Sequence, residues 1–212
     1  MNAAGFNLEV NHMKYLFFDT ETTGLPVNYN APANDLVNWP RIVQLAWAIY
    51  DNSESRLIAR CNYIVKPMGF TIPPNMVHGI SNDYAKKTGY KLKNIMNLFY
   101  DDLIDADYIV AHNLDFDLPI CGAEFIRTLG EDMIGWRPGF CTQKQTTNWA
   151  RIPAKSGQGY KWPSLAELHR ACGFGEIKNA HDAASDVEAC AKCFFYIKSN
   201  SPNTFNLLYN PK

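Results

Sequence analysis

Three short stretches of this sequence place acids and an imidazole where an apolar run gives way to polar residues: YLFFDTETTGL (15–25), AHNLDFDLPI (111–120) and NAHDAASDVEAC (179–190). In the first, Asp19 and Glu21 end what reads as a buried strand. Alternate strand residues share a face, so the two carboxylates are aimed together. Carboxylates held a few ångströms apart repel, and one ordinarily takes up a proton. A divalent cation between them removes the conflict, and hard oxygen donors suit Mg²⁺ or Mn²⁺. The acid-x-acid pattern recurs at Asp105/Asp107 and Asp115/Asp117, where a solvated loop explains it as well. Only Asp19/Glu21 closes an apolar strand and runs into Thr22-Thr23-Gly24, a turn whose free N–H groups could meet an anion. Taken singly, Asp117 reads equally as a helix N-cap, His181 as a polar cap and Asp186 as a solvated helix acid. Together they bring four carboxylates and one imidazole from three segments.

The elements that must carry these groups follow from hydrophobic patterning. Strands are predicted over 13–19, 41–50, 57–66 and 107–111, and helices over 91–104 and 114–129, the latter closed by Gly130 with Pro119 near its first turn. Ser164 and Glu167 form a capping box that opens a helix ending at Gly173, and a last helix covers 182–198. This is an α/β pattern with a mixed sheet. One domain, 13–212, is expected after a short extension, 1–12. With 47% hydrophobic residues a single core is affordable, while no run approaches the roughly 18 apolar residues of a membrane span and no signal peptide is visible. The six cysteines point to reduced thiols and a cytoplasmic location, and Cys190-x-x-Cys193 reads as helix packing. Net charge is −1, yet seven bases face two acids between Arg137 and Lys178, and six aspartates crowd 101–117. Either a metal site and an anionic ligand share one surface, or these are unrelated solvated faces.

The three acidic stretches, in this order, resemble the exonuclease motifs of the DEDD superfamily in its histidine variant, which includes the proofreading epsilon subunit of bacterial replicative polymerase. D-x-E-T-T-G is matched by Asp19–Gly24, H-N-x-x-F-D by His112–Asp117 and H-x-x-x-x-D by His181 and Asp186, with IVQLA (42–46) and VHGIS (77–81) as further similar stretches. Asp182 stands where the tyrosine variant needs its tyrosine. The resemblance implies a ribonuclease H-like fold, with a mixed central sheet flanked by helices. It also implies two divalent ions: Asp19 bridging them, Glu21 and Asp186 completing one site, Asp117 supporting the other. In such a pair one ion acidifies the attacking water and the other steadies the leaving oxygen. His181 would be the general base. Backbone at Thr22, Thr23 and Gly24 would hold the terminal nucleotide, Leu25 would wedge against its base, and His112, Asn113 and Phe116 would line the pocket.

The activity so implied is 3′→5′ hydrolysis of single-stranded DNA to nucleoside 5′-monophosphates. The same chemistry on RNA, as in oligoribonuclease-like relatives, and a silent nucleic-acid-binding module are the alternatives, and a polymerase or repair partner is not legible. Cys141-Thr142 stands where the epsilon subunit often has an aspartate before the threonine. The stretches 26–40 and 144–162 look like insertions. The second combines Lys155 and Lys161 with Trp149, Tyr160 and Trp162, which suits either a single-strand contact or a surface loop. His78 falls in the VHGIS loop near substrate, while His12 and His169 read as structural or exposed.

Overall fold

A computed structural model describes residues 12–52 and 55–206. Apart from His12, whose ring Nδ1 lies 3.1 Å from Asp51, the expected 1–12 extension falls outside the described residues. Strands β1 (Lys14–Thr22), β2 (Ile42–Asp51) and β3 (Arg56–Ile64) are followed by helices α1 (Asn82–Thr88) and α2 (Leu92–Ile104). Then come β4 (Tyr108–Ala111), α3 (Leu114–Leu129), β5 (Gly139–Cys141), the short helices α4 (Thr142–Gln145) and α5 (Thr147–Ala150), α6 (Leu165–Ala171) and α7 (Ala183–Asn200). The sheet order is β3-β2-β1-β4-β5, antiparallel across the first three strands and parallel from β1 through β5. Among the described residues no helix is long and apolar enough to cross a membrane.

The central strand explains its own composition. Leu16 and Phe18 face a core built with α2 and α3, including Phe99, Leu114 and Phe125. Tyr15 and Phe17 face the opposite core, built on Val187, Cys190, Phe194 and Phe195 of α7. With both faces covered, the strand needs no polar alternation. The odd-numbered face continues to Asp19 and Glu21, so the carboxylates point to the side on which α7 lies. Cys190 joins the core under the sheet and Cys193 joins a separate cluster with Leu168 and Cys172; the C-x-x-C is helix packing.

Two sequence expectations are corrected. Pro119 sits in the second turn of α3 rather than the first, where it removes the N–H that would have met the Asp115 carbonyl. The aspartate run also divides. Asp105 and Asp107 bind the side chain and backbone N–H of Lys14, at the start of β1 and away from Asp19. The helix α1, the three-residue β5 and the short α4 and α5 were not legible, being too brief to show a period.

A buried acid fastens the 26–40 insertion. Glu124 on α3 is fully buried and accepts from Arg41 Nε at 2.8 Å and from the Ile42 N–H at 3.0 Å. Arg127, one turn on, spans from Glu124 to the carbonyls of Leu36 and Trp39. Removing one member strands buried charges, so Glu124→Ala is expected to cost about 3 kcal/mol of unfolding free energy, read by urea denaturation. A loss below about 1 kcal/mol would show that the network contributes little net stability.

Candidate active site

The site forms because β1 outruns its neighbour. Pairing of β1 with β4 covers Tyr15–Phe17 against Tyr108–Val110, and β4 ends at Ala111 while β1 continues to Thr22. The freed edge is taken by Asp117, whose Oδ1 accepts the Thr20 N–H at 3.0 Å and the Thr20 hydroxyl at 2.7 Å. Asn113 opens α3 in a left-handed conformation (φ 74°) with no side-chain cap, an arrangement asparagine tolerates better than most residues. The turn it makes aims Asp117 back at the strand.

From the other side, the N-terminus of α7 delivers Asp186. Carboxylate oxygens of Asp19, Glu21 and Asp186 all lie within 4.8 Å of one another. His181, exposed and at φ 67°, donates its backbone N–H to Asp186 Oδ2 at 3.2 Å. Asp182 caps α7 through the Ser185 N–H and accepts from Gln44 Nε2 at 3.0 Å. Gln44 Oε1 in turn takes the Ala183 N–H at 3.4 Å. Gln44 and Asp182 therefore tie α7 to β2, a role that sequence reasoning gave to neither. The available signal was a lone amide in the apolar IVQLA strand, directly across from Glu21 in the register.

Burial and mutual repulsion push the acids toward their protonated forms. Burial raises Glu21 to about 8, reinforced by Asp186 and Asp117. It raises Asp117 to about 7 against the opposing pull of the Thr20 hydrogen bonds. Asp19 lies well above the ordinary carboxylate range, from burial and then the charges of Asp117, Asp186 and Glu21. Asp186 is raised by burial and held back by the His181 N–H. Four oxygen-donor groups disfavoured as anions among themselves fit a site for hard dications, which would replace the protons.

The remaining predicted residues divide. Thr23 is used internally: its N–H donates to the Arg41 carbonyl at 2.9 Å and its hydroxyl accepts the Arg41 N–H at 3.0 Å. Thr22 is buried and donates its hydroxyl to the Gly24 carbonyl. Of the turn expected to offer free N–H groups, Thr23 therefore has none to give. Leu25 stands 73% exposed at the end of the turn that follows β1. Phe116 packs half-buried on the core with its ring 6.4 Å from that of Tyr29. His112 is a strut: Nε2 donates to the Pro163 carbonyl at 3.1 Å, Nδ1 accepts the Thr142 hydroxyl at 3.0 Å, and burial lowers it to about 4. Both of its nitrogens are spent on the protein. His78 accepts the Ile80 N–H through Nδ1 and borders the Thr22 backbone.

Three of the seven bases of the expected patch are paired with acids and a fourth is buried. Lys144 pairs with Asp115, Lys161 with both oxygens of Glu167, and Arg170 with Glu176, while Arg137 is buried. Among the described residues, Arg151, Lys155 and Lys178 are left without a salt bridge.

Residues 16–194 match a family profile named RNase T and described as Exonuclease. The chain is 26% identical over 194 residues to the 3′-5′ exonuclease DinG of Bacillus subtilis, spanning 89% of this chain and 18% of that protein. Its fold is similar to that of Escherichia coli Exonuclease I, solved in complex with a dT13 oligonucleotide, with a TM-score of 0.72 and 22% identity over 90% of this chain. Exonuclease I from Methylocaldum szegediense superposes with a TM-score of 0.68 at 18% identity. The chain spans 42% of the length of each of these two solved proteins.

A carboxyl whose folded-state pKa lies above its unfolded value stabilises the fold while protonated and loses that contribution as pH rises through the folded value. For Glu21 and Asp117 the window runs from the ordinary values of 4.5 and 3.8 up to about 8 and about 7. EDTA-treated protein is expected to melt at a lower temperature at pH 8 than at pH 5, with a smaller drop in Glu21→Gln. Added Mg²⁺ or Mn²⁺ should raise the melting temperature more at pH 8 than at pH 5. Thermal melts in which the metal-induced shift is independent of pH would mean that these acids do not exchange protons for metal.

Proposed function

The chain belongs to the RNase T exonuclease family, and on that premise we propose that it is a metal-dependent 3′→5′ exonuclease acting on single-stranded DNA and releasing nucleoside 5′-monophosphates. One observation carries the reading: carboxylates of Asp19, Glu21 and Asp186 converge within 4.8 Å, with Asp117 hydrogen-bonded to the residue between the first two. A purely structural site or a silent binding module gains nothing from burying acids that repel.

Asp19, Glu21 and Asp186 would hold one of two divalent ions, with Asp19 and Asp117 reaching the second. When bound, such ions supply Lewis acidity toward water and toward the departing oxygen. The protein's own groups do the rest. The imidazole of His181, on the solvent side of the cluster, takes the proton from the attacking water. Its left-handed backbone and the N–H bond to Asp186 tie the His181 main chain to the acid cluster, which supports this role. Leu25 and Phe116 flank the terminal nucleotide, fixing its base and excluding water. The water oxygen bonds to phosphorus as the P–O3′ bond breaks, so the phosphate leaves on the 5′ carbon of the released nucleotide. The 3′ oxygen remains on the shortened strand. The DinG protein named as a 3′-5′ exonuclease and the oligothymidylate in the Exonuclease I complex support the polarity and the single-stranded substrate. The six cysteines, all free and five of them buried, suit a reducing, cytoplasmic setting.

Asp19→Ala is expected to abolish most activity, by orders of magnitude, without loss of fold, and near-normal turnover in that variant would remove the metal assignment. His181→Ala should lower kcat far more than it raises KM, because the imidazole acts in the transition state. A 5′-labelled DNA strand should shorten as a ladder, and a 3′-phosphate should block it by adding charge beside Glu21. Immediate release of the label as mononucleotide would reverse the polarity. Faster degradation of the matched RNA strand would assign the RNA alternative.

A further inference from the structure

We infer that Tyr160 and Trp162 form a stacking subsite for the part of a single strand that lies upstream of its 3′-terminal nucleotide. The inference rests on the exonuclease reading and concerns a region that reading leaves unused. Residues 152–161 fold back as a hairpin-like lobe, with a bridge between Pro153 and Tyr160 and a Lys161 N–H to Ile152 carbonyl bond of 2.9 Å. Gly157 and Gly159, both at positive φ, turn its tip. Lys161 points to Glu167, inside the capping box of α6, and alternation along an extended edge would turn Tyr160 and Trp162 together to the opposite side. Both rings are open to solvent, Tyr160 at 45% and Trp162 at 58% exposure.

The lobe is joined to the site. Its base, Pro163, is buried and receives the Nε2–H of His112, the residue that leads into α3. Lys144 lies 5.4 Å from the centre of the Trp162 ring and is paired with Asp115, the neighbour of Phe116. Trp162 is thus one ion pair away from the residues that flank the terminal nucleotide. The half-exposed Tyr29 adds a further ring 6.4 Å from Phe116. A pocket that encloses a 3′ end leaves only upstream nucleotides outside it, so a binding surface beginning at its rim holds those. Unpaired bases offer free faces to such rings, independent of base identity, whereas bases within a duplex are already stacked. Of the two readings the sequence left open for 144–162, a single-strand contact and a surface loop, this takes the first with aromatic surface in the larger part, because Lys161 is committed to Glu167.

The test compares kcat/KM of the full chain on a dinucleotide and on a twelve-nucleotide oligothymidylate. Wild type should favour the longer strand, and the Tyr160→Ala/Trp162→Ala variant should lose about tenfold of that preference. Trp162→Phe, which keeps a flat ring, should retain most of it, and Trp162→Leu, which keeps bulk alone, should not. These exposed positions leave the core intact, and circular dichroism checks that each variant folds. Equal length preference in wild type and the double variant, or a Trp162→Leu variant that matches Trp162→Phe, overturns the subsite. Wild-type protein that degrades neither strand overturns the exonuclease reading itself and the subsite with it.

Discussion

Four carboxylates in one poorly solvated spot is the constraint around which this fold is organised. Left alone, Asp19, Glu21, Asp117 and Asp186 disfavour one another's charge, and burial adds to the penalty. No lysine or arginine salt bridge reaches any of the four among the described residues. Such a cluster survives only if packing elsewhere over-determines it. That support is visible in the two-sided burial of β1 and in the aromatic packing of α7 against Tyr15 and Phe17. The energy invested in those cores holds the acids in a geometry they would not choose.

How each acid is held differs, and the differences are informative. Asp19 and Glu21 ride on the sheet and cannot move apart without breaking the β1–β2 ladder. Asp117 is fixed by two bonds to Thr20, made possible because β4 stops short. Asp186 depends on the placement of α7, which Gln44 and Asp182 tie to β2. His181 alone is exposed, on a backbone conformation that costs a non-glycine residue free energy. Under the proposed mechanism the group that must exchange a proton with solvent is thus the one least enclosed, while the groups that must stay still are the most enclosed.

Much of this was legible in the sequence because chemistry and periodicity coincide. The long elements β1, β2, α2, α3 and α7 carry clear apolar patterns, and the capping box of α6 announced its start. The acids could be picked out because they interrupt those patterns at element ends. What failed to show was anything that depends on partners distant in sequence. Thr23 reads as a free turn residue until Arg41 is seen across from it. His112 reads as a pocket residue until Pro163, some fifty positions away, takes its Nε2–H. Lys161 reads as a free base because Glu167 looks occupied by its own capping box, yet its carboxylate serves both. β5 has three residues, below any detectable period.

The fate of the basic residues bears on selectivity. A sequence with seven bases between Arg137 and Lys178 suggests a phosphate-binding surface, but the fold spends several of them on Asp115, Glu167 and Glu176 or buries them. A surface that bound chiefly through phosphate contacts would grip duplex and single strand alike and weaken steeply with salt. Pairing part of that charge while leaving Leu25, Tyr29, Tyr160 and Trp162 exposed fits the proposed recognition through the faces of unpaired bases. Under the proposed function, in which the substrate must present a free terminus, that balance would favour the frayed or single strand over intact duplex. Under the proposed mechanism, dications held by the acid cluster would supply the positive charge nearest the scissile phosphate, so that affinity and catalysis there would depend on the same groups.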